Sequence, residues 1–388
     1  MPAPELAPAL CQEAVDAYAV HGSEALAAAA LGMNRATFHN RLASARVRGF
    51  AAGASPTAPS VSDATEIAAL RRQLREAQSG ETLEAWAKSI IQGANVQALA
   101  RPPASWLSEH IATPSAAGIP TLFLSDLHWG EVVRGSEVGN VNSYDMATAQ
   151  ERLRSIVDKA TVLLRDHVIG DYPGIVVCLG GDMVSGSIHD ELMQTNEGSV
   201  LQQMLHLFEH LQTTIRRLAD EFGHVHLPCV TGNHGRSNKK WQAKQRAHLS
   251  YEWLLYQFLV RAFAADDRVT FQIPEGPDAD YDLLGTKYRL THGDTFRGGD
   301  GIIGPIGPVT RGALKRGRMA SAMGAPFDVL LLGHWHTLTW GSGFIINGTT
   351  KGYDEFAMSL SITPEPPSQA LWLTNEQHGR TIQLPVYA

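Results

Sequence analysis

The sequence is poor in cysteine, in aromatic residues and in long apolar runs. Only three of its 388 residues are cysteine, and 7% are aromatic. An odd number of widely spaced cysteines offers no disulfide framework, and Cys178 and Cys229 lie in apolar, strand-like runs that favour a buried role. No apolar run approaches the roughly 20 residues that span a bilayer, and a signal-peptide pattern is missing at the N-terminus. These absences predict an intracellular protein without a membrane partner.

The sequence also lacks an excess of positive charge. Its formal net charge is −7, with 44% hydrophobic and 18% charged residues. A protein coated with basic residues for binding nucleic acid is therefore excluded, and any such contact must use local basic patches. The length predicts two or three domains.

Residues 1–50 are expected to form a small helical domain. Apolar residues recur there at helical spacing, Ser23 and Asn34 are candidate N-caps, and Gly32 is the centre of a tight turn. The run 28–38 resembles the helix-turn-helix family of DNA-binding modules. The resemblance implies DNA contacts by Arg35, Thr37, His39, Arg41 and Arg46. A plain three-helix bundle with a solvated basic face is the alternative.

The next two segments are predicted to connect the helical domain to the main domain. Residues 51–64 have the composition of a flexible linker, and residues 65–117 are predicted as a helical, coiled-coil connector. Apolar residues at alternating three and four spacing make residues 67–77 a short seam through which a homodimer could form. Residues 118–388 are expected to be the main domain, because apolar strands alternate with helices from there on.

Five short motifs follow one another in that domain, most of them directly after an apolar strand. They are Asp126-Leu127-His128 with Gly130, Gly181-Asp182, Gly232-Asn233-His234, His292-Gly293-Asp294 and Gly333-His334-Trp335-His336. Side chains just past the carboxyl ends of strands are where open α/β sheets build their sites. Such a set of histidines and carboxylates predicts a pair of metal ions that share one carboxylate.

On these motifs, residues 119–350 resemble the calcineurin-like metallophosphoesterase superfamily. The resemblance implies an α/β (α+β) fold, a β-sandwich flanked by helices, with a dinuclear metal centre. By motif, one metal would be held by Asp126, His128 and His336, the other by Asn233, His292 and His334, with Asp182 bridging them. A hydroxide shared by the metals would attack phosphorus. Nitrogen and oxygen ligands suit Mn²⁺, Fe or Zn²⁺, and resemblance to the nuclease branches favours Mn²⁺.

His234 and Asp182 are the expected catalytic residues. In the superfamily the histidine of the Asn-His motif protonates the leaving group, and an acidic residue usually follows and orients it. This chain has Gly235 instead, so another carboxylate, such as Asp190, would have to orient the imidazole. His189 is a further candidate for phosphate contact.

Two basic clusters flank the motifs. Arg236, Lys239, Lys240 and Arg316 are candidate contacts to a nucleic-acid backbone, although solvated charge is the usual role of such runs. A glycine-rich loop, Gly298 to Gly307, is a candidate lid over the site.

Three functions are compatible with these features. The first is a metal-dependent DNA phosphodiesterase, similar to the branch containing the Mre11 and SbcD nucleases but closer to compact bacteriophage members, in a bacterial or phage-infected cytoplasm. The second is a phosphatase or small-nucleotide phosphodiesterase that the N-terminal module only localises. The third is a catalytically inactive DNA-binding regulator, which the complete ligand set disfavours.

Overall fold

A computed structural model of the chain describes residues 7–51, 104–108, 118–168, 170–298 and 304–388. The chain divides into two compact units, Met1–Glu84 and Ala85–Ala388. Among the described residues, none of the helices combines the length and apolar character needed to cross a bilayer.

The described part of the first unit is three helices, α1 (Pro8–His21), α2 (Glu24–Ala30) and α3 (Arg35–Val47). Both expected caps are present: the Ser23 hydroxyl accepts a hydrogen bond from the backbone N–H of Leu26, and the Asn34 side chain accepts one from Thr37. A small core of Ala14, Ala27, Ala28, Phe38 and Leu42 holds the helices together. Whether this bundle binds DNA as a helix-turn-helix module stays a prediction.

The second unit contains two β-sheets and six α-helices within the described residues. The strands are β1 (Ile119–Leu124), β2 (Ile175–Leu179), β3 (Val225–Pro228), β4 (Val269–Gln272), β5 (Asp278–Leu283), β6 (Thr286–Thr291), β7 (Val329–Leu332), β8 (Thr339–Trp340), β9 (Phe344–Ile346), β10 (Ser368–Asn375) and β11 (Gly379–Tyr387). The helices are α4 (Met146–Val162), α5 (Asp190–Thr195), α6 (Val200–Phe222), α7 (Tyr251–Ala262), α8 (Ile306–Ala322) and α9 (Glu355–Ser359).

The first sheet has the order β11-β10-β1-β2-β3-β4, and the second has the order β5-β6-β7-β9-β8. Strands β1 to β4 are parallel, as are β6, β7 and β9, while β5, β8, β10 and β11 pair antiparallel with their neighbours. Parallel pairing directs the carboxyl ends of the central strands of each sheet toward one edge, so the loops after them meet there.

The two sheets pack face to face around an apolar core. Phe123, Val176 and Trp372 of the first sheet meet Tyr288, Leu331 and Ile345 of the second. A second core lies on the other face of the first sheet, where Leu207, Leu211 and Leu218 of α6 pack with residues of α4 and α7. The expected sandwich with flanking helices, a mixed α/β fold, is therefore confirmed.

Local boundaries differ from the sequence-based expectation in a few places. The first of the helices expected to alternate with the strands, α4, begins at Met146, because Asp145 caps it, and the turns from Leu163 to His167 widen into a π-helix. Ser105–Leu107, inside the expected connector, form a short 3₁₀ turn, and Trp106 and Leu107 join the core between the sheets. Residues 52–103, with the linker and the seam at 67–77, lie outside the described residues, as do residues 299–303 of the glycine-rich loop.

Candidate metal centre

Each of the five motifs lies in the loop directly after a strand. Asp126 follows β1, Asp182 follows β2 and Asn233 comes after β3 in the first sheet. In the second sheet, His292 follows β6 and His334 follows β7. The register continues into the loops, since the backbone N–H of Gly333 donates to the carbonyl oxygen of His292. Both sheets therefore contribute side chains to one site.

The structure brings the predicted ligands together in overlapping clusters. The ligand atoms in each cluster lie within 4.8 Å of one another. The clusters are Asp126 with His128 and His336, Asp182 with His292 and His334, and His128 with Asp182 and His234. The first two match the two metal positions that the resemblance implies, with Asp182 in the second.

Short distances link the ligand atoms directly. The Nε2 atoms of His128 and His336 are 3.0 Å apart. His292 Nε2 lies 3.0 Å from Asp182 Oδ2 and 3.1 Å from Asn233 Oδ1. His336 Nε2 lies 3.5 Å from Asp126 Oδ1. The buried floor of the site is Asp126, His128, Asp182 and His292, and its partly exposed rim is Asn233, His234, His334 and His336.

This donor set fits divalent cations. His292 Nδ1 lies 2.9 Å from the carbonyl oxygen of Gly180, which can only accept, so Nδ1 carries a proton and Nε2 is the nitrogen that faces the site. Nε2 lies close to the side-chain oxygens of Asp182 and Asn233. A cation that displaced the proton on Nε2 would be bound by all three groups, and a ring fixed through its other nitrogen is the usual arrangement of a metal-ligating histidine.

The pKa values of three histidines of the centre are shifted by burial and by neighbouring charges. Burial lowers the pKa of His128 and of His334 to about 4, so both rings are neutral ligands at pH 7. Burial also disfavours a charged His292, but the carboxylate of Asp182 outweighs it and raises the pKa of His292 to about 10. His292 and Asp182 therefore form an ion pair whose proton a bound cation would displace.

The ligand loops have a backbone that L residues rarely adopt. Positive φ angles occur at Asp126 (54°), His128 (46°), Asp182 (49°), His334 (69°) and His336 (58°). Each left-handed non-glycine residue costs on the order of 1–3 kcal/mol and clusters of them mark functional sites. Space is tight as well: a Cβ on Gly232 would lie 2.1 Å from Asp182 Oδ1.

A row of buried charged side chains lies on the side of His128 that faces away from the site. Its Nδ1 lies 3.2 Å from Glu131 Oε2, and Glu131 Oε1 accepts from Lys351 Nζ at 3.0 Å. Lys351 also pairs with Asp354. The Lys351 ammonium outweighs burial and lowers the pKa of Glu131, so the carboxylate behind the imidazole is ionised. A carboxylate on the far nitrogen of a ligating histidine fixes the ring and raises its basicity.

His234 is oriented by the backbone. Its Nδ1 lies 3.0 Å from the carbonyl oxygen of Ser185, so Nδ1 donates and Nε2 is left for the site. The backbone N–H of His234 donates to Asp182 Oδ1 at 2.7 Å. The suggestion that Asp190 orients this ring is wrong, because Asp190 is exposed and pairs with Lys239. The exposed ring of His189 lies beside His234, with 5.5 Å between the ring centroids.

Two residues outside the predicted site, the buried Glu252 and the half-buried Arg246, hold the motif loops together. Glu252, at the start of α7, accepts hydrogen bonds from the N–H groups of Met183 at 2.7 Å and Gly232 at 2.6 Å. Arg246 binds both carboxylate oxygens of Asp294 at 2.8 and 2.9 Å and the carbonyl oxygen of Thr231 at 2.9 Å. Neither belongs to a motif, so no spacing in the sequence pointed to these contacts.

The basic residues of the second unit that were predicted to contact a nucleic-acid backbone differ in their exposure and in their partners. Lys240 is exposed. Arg236 donates to the carbonyl oxygens of Asn238 and Lys239, and Lys239 pairs with Asp190. Arg316 pairs with Asp278, donates to Thr295 and lies over the ring of Phe296.

In the first unit, several candidate DNA contacts meet other side chains of the bundle. His39 lies 3.1 Å from Glu24, Arg41 is 3.7 Å from Glu13, and Arg46 lies over the ring of Tyr18. Arg35 and Thr37 are exposed at the start of α3. The basic face of α3 therefore has acidic neighbours on α1 and α2, which the pattern of α3 alone did not indicate.

Comparison with known proteins gives distant likenesses only. No protein-family model and no curated protein matches the chain. Solved structures that it resembles include Zn²⁺-complexed Vps29 of Entamoeba histolytica, at 13% identity and a TM-score of 0.27 over 69% of this chain and 99% of that one. A predicted phosphoesterase of Streptococcus pneumoniae is 13% identical, with a TM-score of 0.25 over 69% of this chain and 98% of that one. Vps29 of Chaetomium thermophilum is 10% identical, with a TM-score of 0.25 over 71% of this chain and 99% of that one.

Proposed function

We propose that the chain is a dinuclear-metal-dependent phosphoester hydrolase of the calcineurin-like metallophosphoesterase kind. The observation that carries the proposal is the convergence of all seven predicted ligands, from five loops and two sheets, with His234 at the rim. Asp126, His128 and His336 would hold one cation, Asn233, His292 and His334 the other, and Asp182 would lie between them. Two bound divalent cations supply an activated water and neutralise the charge of the phosphate.

The other steps of the reaction would be carried by side chains of the site. The buried carboxylates would hold the cations, while the partly exposed rim would be open to a phosphate group. His234, fixed by the Ser185 carbonyl, would direct Nε2 toward the leaving oxygen and give it a proton. The neighbouring ring of His189 would contact a phosphate oxygen.

For the substrate we propose phosphodiesters of DNA. Lys240 and Arg236 follow the His234 motif directly, and the basic helix α3 supplies a second cationic surface in the other unit. One observation favours the alternative, a phosphatase or small-nucleotide phosphodiesterase: Lys239 and Arg316 already pair with carboxylates, which reduces the free positive charge for a long polyanion.

A substrate screen separates these functions. With Mn²⁺ we expect hydrolysis of bis(p-nitrophenyl) phosphate and of DNA, abolished in Asp182→Ala and kept in Asp171→Ala, which removes an exposed aspartate. Cleavage of p-nitrophenyl phosphate alone, with DNA intact at low salt, would reject the nuclease and favour the phosphatase. Repeating the screen with Zn²⁺ and Fe²⁺ tests the preference for Mn²⁺.

A further inference from the structure

Glu252 lies directly behind the metal centre although no motif contains it. Its side chain is fully buried. One carboxylate oxygen accepts the N–H of Met183, the residue after Asp182, and the other accepts the N–H of Gly232, the residue before Asn233. A single side chain thus fixes the backbone beside the bridging ligand and beside a ligand of the second metal.

The neighbouring Gly235 explains why Glu252 can reach this place. Gly235 has no positive φ, so its backbone would accept any residue. Space forbids a side chain there: a Cβ on Gly235 would lie 2.5 Å from Cγ and 2.6 Å from Cδ of Glu252. The volume that a residue at 235 would fill is the volume of the Glu252 carboxyl group.

We propose that Glu252 is a positioning residue of the metal centre, and that its carboxyl group, from α7, occupies the place of a side chain at position 235. The backbone supports this exchange, because the N–H of Tyr251, next to Glu252, donates to the carbonyl oxygen of Gly235 at 2.8 Å. The start of α7 is thereby tied to the His234 loop. Glu252 acts through the loops of Asp182 and Asn233, and it touches no substrate.

Glu252 could instead be a purely structural group that only keeps α7 in place. The two roles differ in what they predict for the folded protein. Loss of a structural contact lowers the stability of the fold but leaves the folded fraction with native metal affinity. Loss of a positioning contact lets the Asp182 and Asn233 loops move, and outer-shell partners of metal ligands typically change metal affinity by roughly 10- to 100-fold.

The first test is Glu252→Gln, which keeps the volume. Its one carbonyl oxygen can accept only one of the two N–H groups, since the amide nitrogen is a donor. We expect Mn²⁺ affinity, measured by calorimetry without substrate on protein shown to be folded by circular dichroism, to fall by at least roughly tenfold. Glu221→Gln, a variant at a surface residue that pairs with Arg165, should bind as the native protein does. Native Mn²⁺ affinity in folded Glu252→Gln would overturn the proposal.

The second test moves the carboxylate. Glu252→Ala should lose Mn²⁺ affinity, and Gly235→Asp added to it should restore much of that affinity, because the new side chain enters the emptied volume. Gly235→Asp alone should lower the melting temperature, because it collides with Glu252. A double variant that binds Mn²⁺ no better than Glu252→Ala would also overturn the proposal.

The proposal rests on the proposed function only in requiring a metal centre. If the native protein bound none of Mn²⁺, Zn²⁺ and Fe²⁺, the proposed function itself would fail. If the native protein binds Mn²⁺ and the variants bind it equally well, Glu252 alone loses its role.

Discussion

At the scale of single residues, the candidate centre is a set of side chains fixed by groups outside the motifs. Carbonyl oxygens of Gly180 and Ser185 set the protons of His292 and His234, while Glu131 lies behind His128. Ligand types were predictable from the sequence because the motifs name them. The groups that orient these ligands were not predictable, because a backbone carbonyl oxygen leaves no signal in the sequence and Glu252 lies on a helix distant from the motifs in sequence.

His234 can be separated from the ligands by kinetics. In His234→Gln the general acid is lost, and we expect kcat for a phosphodiester to fall by roughly 10²- to 10⁴-fold. Mn²⁺ affinity should stay within a few-fold of native, because the proposed ligands are intact. His378→Gln, an exposed histidine, is the control. A large loss of Mn²⁺ affinity in His234→Gln would show a ligand instead of an acid.

Lys351 offers a test of stability. It is 3% exposed and pairs with both Glu131 and Asp354. Lys351→Met leaves two buried carboxylates without their cation, and breaking a buried pair this way costs about 3–5 kcal/mol. Urea unfolding should show that loss, whereas the exposed Lys287→Met should change stability by less than about 0.5 kcal/mol. Equal stability of the two variants would contradict the account of the buried charges.

At the scale of elements, register explains why distant motifs meet. Leu124 pairs with Leu179 in parallel, and Thr291 pairs with Leu332, so the residues that follow each pair leave the sheet side by side. The sequence predicted these strands because their apolar runs end at the motifs. It did not predict α7 and α8, which follow an irregular basic segment and a glycine-rich one.

Strand β3 carries a buried titratable group away from the metal centre. Burial lowers the pKa of His226 to about 4, and its ring bonds to Thr270 of β4 at 2.9 Å. The unfolded chain binds the proton near pH 6.5, so stability is complete above that pH and is lost as the pH falls toward 4.

We therefore expect His226→Gln, which cannot take up a proton, to lose less stability than the native protein on acidification. The difference should be roughly 2 kcal/mol between pH 7 and pH 5. Urea unfolding at both pH values measures it. Parallel losses in the two proteins would show that His226 does not titrate as described.

At the scale of the molecule, cations at this centre would join the two sheets, because their ligands come from both. Ligands that bind only the folded state stabilise it by mass action, by about 2.7 kcal/mol at 100 times the dissociation constant. Mn²⁺ at that concentration should therefore raise the melting temperature, and a chelator should reverse the change. Asp182→Ala should show no such rise, and an equal rise would place the cations elsewhere.

DNA binding by the first unit can be tested separately from phosphoester hydrolysis by the second. Deleting residues 1–50 should weaken binding to duplex DNA while hydrolysis of bis(p-nitrophenyl) phosphate continues at the native rate. Affinity is best measured by fluorescence anisotropy at several salt concentrations, because the slope reports the phosphate contacts that were lost. Unchanged affinity would contradict the assignment of a DNA-binding module to α1, α2 and α3.

The order of strands in the first sheet has a consequence for synthesis on the ribosome. Strand β1 lies between β2 and β10, yet β10 is made long after both. At elongation rates of about 5–20 residues per second, β1 waits on the order of ten seconds or more for that neighbour. During that interval the nascent chain exposes an apolar, unpaired strand edge, which is a template for aggregation. A chaperone that shields this edge would raise the yield of folded protein without touching the metal centre.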